Sequence, residues 1–194
     1  MRAAWSNRSN IIVEDRDMET TAVYWESKIK TYGFRIERDL SLALFQFNAP
    51  KFILWGRLIE EMGALGIKFN LVFGQVPENN ILNVYLVVKE AYTIRLMDYI
   101  RRNTGSEDGE YSCFNSPIEM LSFQGPHYGD RYGIACTLFE TLDSNHIPVI
   151  ASCCSVSCIY LLLKEGKGDK ARDTLLEKFE VPLKNTHRTG PLIG

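Results

Sequence analysis

The sequence predicts an α+β chain in which an antiparallel sheet is covered by helices on one face, and in which this arrangement occurs twice. Three observations carry the prediction. Apolar and polar residues alternate over 28–36, whereas Trp55, Leu58, Ile59, Met62 and Leu65 recur at helical spacing; these two periods separate half-buried strands from amphipathic helices. The elements follow the order strand, helix, strand, strand, helix. The same order then returns after about 75 to 80 residues, an internal repeat that says more than any single motif. Two such units make tandem ferredoxin-like folds, βαββα with a further strand to complete each sheet.

Residues 1–27 read as a tail or linker, with the charged run Glu14, Asp15, Arg16 and Asp17 in solvent. Strand 28–36 is followed by a turn at Glu37, Arg38 and Asp39, then a second strand over 40–47. Asn48 can cap the next helix and Pro50 is tolerated in its first turn. Gly66 stops that helix. Strands 67–73 and 81–88 are joined by a loop of hairpin composition, and Ala91, Ile94, Met97 and Ile100 mark a second helix. Residues 104–117 hold two glycines and three acids and read as a linker. The pattern then repeats: strand 118–123, loop 124–132, helix 133–143, strands 147–153 and 156–163, and a last helix over 169–179 with Ala171, Leu175 and Phe179 on its apolar face.

With 194 residues, 45% of them hydrophobic, the chain can bury a core but leaves no room for a large catalytic domain beside two such units. Its 22 basic and 24 acidic residues balance, so no single-sign field is available for nucleic acid or a membrane surface. An RNA-binding sheet would also need aromatic and basic residues together on its strands, where 81–88 and 156–163 show only Tyr85 and Tyr160. No stretch approaches the roughly 20 apolar residues of a membrane span, and a cytoplasmic protein is expected. The five cysteines read as reduced thiols. Cys153, Cys154 and Cys158 would need converging partners to hold a metal, and the histidines are scattered. No metal or cofactor is expected.

The run Gly129, Asp130, Arg131, Tyr132, Gly133, Ile134, Ala135, with Phe139 and Leu142 after it and His146, Ile147, Pro148 and Val149 opening the next strand, resembles an ACT domain. The first unit is similar but weaker, through Leu58, Gly66 and Ile67. The pair looks like the regulatory region of aspartokinases, from Ile29 to about Pro182. The resemblance implies unit 1 at 38–104, unit 2 at 105–185 completed by strand 28–37, a tail at 186–194, and homodimers formed through the sheets. The phosphate-binding segment of a kinase is absent, and Gly129 to Gly133 lacks the Lys-Ser/Thr of a Walker loop. A non-catalytic chain is expected, either free-standing or part of a larger enzyme.

In that family a free amino acid binds between the loop after a unit's first strand and the second strand of a facing unit. Gly125, His127, Gly129, Asp130, Arg131, Tyr132, Gly133 and Ile134 then form a cradle in which backbone N–H groups and a helix N-terminus meet a carboxylate. The same glycines also suit a tight strand-to-helix loop and nothing more. Asn70 stands where the family often has the acid that holds the amino group, and Gln75 and Asn48 are further candidates. The first unit's loop lacks the glycine and carries Lys51, while the second unit has Pro148 and Ile150 where polar residues are usual. Those departures favour a rival expectation, a ligand-free interaction module that docks on a metabolic enzyme. His127 with Asp130 has no nucleophile beside it and does not make a catalytic site.

Overall fold

The structure is a computed structural model and describes residues 27–48, 52–75, 81–103, 111–126, 128–129 and 131–182. Two short strands, β1 (Ile29–Lys30) and β8 (Phe179–Glu180), pair with each other in parallel. The remaining strands are β2 (Gly33–Asn48), β3 (Phe69–Gln75), β4 (Ile81–Lys89), β5 (Tyr111–Gln124), β6 (Val149–Cys154) and β7 (Cys158–Lys164). They form one antiparallel sheet in the order β3-β4-β2-β5-β7-β6. The helices are α1 (Phe52–Ala64), α2 (Thr93–Asn103), α3 (Ile134–Ser144) and α4 (Gly168–Leu175).

Alternation along the strands sorts the core into three clusters. Ala43 and Phe45 of β2, with Leu82, Val84, Leu86 and Val88 of β4, meet Trp55, Leu58 and Met62 of α1 and Leu96 and Ile100 of α2. Leu121 and Phe123 of β5, with Ile159, Leu161 and Leu163 of β7, meet Leu138 and Leu142 of α3 and Ala171 and Leu175 of α4. Residues between these positions point the other way. There Leu40, Leu42, Val87, Ile118, Met120 and Leu162 form a third cluster that joins both halves of the sheet on its helix-free face. Each Val, Leu, Ile, Phe or Met side chain buried in this way contributes about 1.5–3 kcal/mol relative to exposure.

Several expectations need correcting. Glu37, Arg38 and Asp39 do not turn the chain back. They lie within β2, where Glu37 faces Met120 and Leu40 faces Ile118, so β2 carries one extra residue and Asp39 takes φ 56°. Such a bulge lets one strand continue while its side-chain alternation is reset. Residues 111–117 are strand rather than linker, because Ser112, Cys113, Phe114 and Asn115 pair with 42–45 of β2. Phe114 packs edge-on against Phe45 at 5.8 Å. Helix α4 ends at Leu175, and Phe179 lies in β8, fully buried against Phe34 and Phe123. Segment 28–36 is interrupted at Thr31 and Tyr32, whose backbone N–H groups donate to Glu180 and Gln124. Residues 1–26, 49–51, 76–80, 104–110 and 183–194, with the tails, caps and loops read there, lie outside the described residues.

Candidate functional site

At the end of β5 the chain must climb from the sheet to the start of α3, and its glycines do different things on the way. Gly125 is a packing glycine: a Cβ there would lie 2.6 Å from the Lys30 carbonyl and inside the Tyr128 ring. Gly129 lies under Val156, whose Cγ1 would be 2.5 Å from an added Cβ. Gly133 precedes α3 at φ 83°, a left-handed conformation suited to glycine, with open space around it. Among the described residues no side chain caps the first turn of α3, and that turn holds no acid. Among the described residues nothing occupies its leading N–H groups, which can meet an acceptor from outside the helix.

A cavity of about 310 Å³ opens at this helix start. Gly129, Arg131, Tyr132, Gly133 and Ile134 are on its wall, and Cys154 and Ser155, from the end of β6, are among the residues that complete it. Arg131 Nη1 donates to the Lys28 carbonyl at 3.3 Å, which ties the loop to the strand region before β2. Tyr132 is 99% exposed at the rim. Tyr128 supplies the inner wall. Thr31, close to its hydroxyl, spends its own proton on the Gln124 carbonyl at 2.5 Å, and the Tyr128 hydroxyl has no hydrogen-bond partner among the described residues. Burial pushes the Tyr128 phenol up to about 12 against a smaller opposing effect of Thr31. His127 and Asp130 lie outside the described residues.

The candidates from the first unit are elsewhere. Asn70 is the bulged residue of β3 and donates from Nδ2 to Glu37 Oε2 at 2.9 Å, on the wall of a second cavity of about 480 Å³. Gln75 ends β3 opposite Asn83, and Asn48 ends β2 opposite Ile81. None of the three shares the 310 Å³ cavity. The sequence reading overlooked Tyr128, which lies between the two glycines Gly125 and Gly129, and Cys154 and Ser155, which a period-2 reading of 149–154 carried one residue past the strand would have placed at the loop. Burial, then the neighbouring Cys153, raises the Cys154 thiol, and a hydrogen bond with Glu140 raises that of Cys136. Both stay protonated at neutral pH and are poor nucleophiles. Among the described residues, no three His, Cys, Asp or Glu side chains converge to hold a metal ion. Among the described residues, no helix is long and apolar enough to cross a membrane.

No protein-family model matches the sequence, and no curated protein matches it. Solved structures do match its fold. The regulatory subunit of aspartate kinase from Thermus flavus superposes with a TM-score of 0.67 over 76% of this chain and 97% of the other, at 12% identity. The fold is that of an aspartate kinase regulatory region. The ligand-free regulatory subunit from Thermus thermophilus agrees, with a TM-score of 0.66 over 77% of this chain and 99% of that one, at 13% identity. The aspartate kinase from Synechocystis matches with a TM-score of 0.69 over 80% of this chain but only 28% of the enzyme, at 13% identity. The α+β fold, an antiparallel sheet with helices packed on it, is thus like that of aspartate kinase regulatory regions.

Proposed function

We propose that this chain is a non-catalytic regulatory pair of ACT units that binds a free amino acid in the crevice at the start of α3. The observation that carries the reading is the 310 Å³ cavity whose wall includes Ile134 and Ala135, the first residues of a helix that no described side chain caps. A carboxylate there would accept from backbone N–H groups and gain from the positive end of the helix dipole. Binding would act on a partner enzyme only through a difference in affinity between two arrangements of the pair.

The chain would assemble through the edges of its sheet, β3 and β6, each of which pairs on one side only among the described residues. Joining β6 of one copy to β3 of another would bring Asn70 and Gln75 towards the crevice. Joining like edges, as a two-fold dimer does, would leave the crevice with its own residues. Calorimetric titration with each proteinogenic amino acid tests the reading: one of them binds, and Ala135→Phe, an exposed helix position on the cavity wall, removes one binding event from the titration. Silence from all of them, or a titration unchanged in Ala135→Phe, overturns it.

A second reading is a ligand-free docking module. Ile53 is 71%, Ile94 76% and Leu65 51% exposed on and beside the helices of the first unit, an apolar outer surface that favours a protein partner. Recovery of one metabolic enzyme by the parent chain but not by Ile53→Asp/Ile94→Asp, with a silent amino-acid screen, would select it.

A further inference from the structure

The helix-free face of the sheet is apolar at its centre but not beside the start of β2. Arg35 of β2, Ser122 of β5 and Tyr160 of β7 face one another in a single row across three strands. Glu37 stands one step along β2 on the same face, since successive side chains of a strand alternate. Asn70 belongs to β3, the far edge of the sheet, yet its amide reaches Glu37 and closes one side of the 480 Å³ cavity. The walls of this cavity therefore come from both halves of the molecule.

Its electrostatics are specific. The Glu37 side chain is 17% exposed and that of Arg35 75%, and Arg35 Nη2 lies 3.2 Å from Glu37 Oε1. An anion is thus held inside and a cation at the mouth. A carboxylate offers about four acceptor positions, of which Arg35 and Asn70 take one each. The remainder suit a cationic nitrogen, while Arg35, mostly in water, keeps donors for a carboxylate. Arg35 and Glu37 already balance each other, so a lone cation or anion would add a net charge to the site, whereas a zwitterion adds none.

We infer that the 480 Å³ cavity is a second ligand site, separate from the α3 crevice, for a small zwitterion with its cationic nitrogen on Glu37 and its carboxylate on Arg35. Because Asn70 reaches this site from the opposite edge of the sheet, a molecule seated there contacts both halves and favours the arrangement in which they meet.

The experiment is an amide-resolved NMR titration of the whole chain with each proteinogenic amino acid, and with the N-acetyl and carboxamide forms of any that binds. The expected result is shifts at Arg35, Glu37, Asn70 and Ser122 with at least one amino acid, weakened tenfold or more when either charge of the probe is blocked. Glu37→Gln weakens the same shifts at least tenfold and leaves those of 131–135 as they were. Shifts confined to 128–135 overturn this site while upholding the crevice. Shifts confined to 35–37, 70 and 122 do the reverse. No shift in either region with any probe overturns both, and a Glu37→Gln chain that titrates like the parent overturns the assignment of the charge.

Discussion

Tyr128 shows how a single side chain can record its surroundings. Its hydroxyl lacks a partner among the described residues and its phenol is pushed up to about 12 by burial. Between pH 10 and 12 the unfolded chain releases this proton while the folded chain retains it. Stability from this group is therefore complete below about pH 10 and is lost as pH rises towards 12. Urea unfolding across that range should show the decline, reduced in Tyr128→Phe. At neutral pH the same substitution should raise stability by about 0.5–1 kcal/mol, because it removes a hydroxyl without a partner among the described residues. Gly125 carries the opposite expectation. Gly125→Ala should destabilise the fold by about 1–3 kcal/mol through overpacking against Tyr128 and the Lys30 carbonyl, measured as a lower urea midpoint at constant slope. The sequence marks Gly125 as special but not why, since the Lys30 carbonyl is brought to it only by the fold.

Among the elements, α4 is held at its start by a buried carboxylate. Glu119 accepts from the Gly168 backbone N–H at 2.6 Å and from Arg38 Nε at 3.1 Å, while Arg38 also reaches Asp169. Glu119→Ala leaves the Gly168 N–H buried without an acceptor and should destabilise by about 2–3 kcal/mol. Hydrogen exchange should locate the loss in α4 before the rest of the sheet. Helix positions were legible because the 3.6-residue stripe survives in Trp55, Leu58 and Met62 and in Leu138 and Leu142. The end of α4 was not, because Phe179 continues the helical spacing while its burial is supplied by Phe34 and Phe123, from remote parts of the chain. Strand 111–117 was hidden by its serines, asparagine and proline, a composition that argues for a linker until the pairing with β2 is seen.

At the level of the whole molecule, the repeat foretold the order of strands and helices, whereas the two cavities depend on which strands become neighbours. Asn70 stood out as a polar residue in an apolar strand, but its partner Glu37 lies across the sheet and nothing local connects them. This makes Asn70 a test of assembly. If copies join β6 to β3, Asn70→Ala should weaken amino-acid binding at the α3 crevice by about 1–2 kcal/mol, five- to thirtyfold, with the charge-assisted bond it would lose. If like edges join, crevice affinity should be unchanged, and sedimentation velocity should show a closed dimer rather than a growing series.

Strands β2 and β5 face each other from Gly33 and Gln124 at one end to Gln46 and Tyr111 at the other, and so run through both halves of the sheet. This shared spine bears on how the chain folds. Neither half can complete its sheet until residues far apart in sequence have met, so formation is expected to be slow and governed by one distant closure. Once made, that closure binds the halves into one cooperative unit, and the slowest-exchanging amides of both should open together at the free energy of global unfolding. A chain cut in the 104–110 segment would then yield two pieces that fold only on mixing.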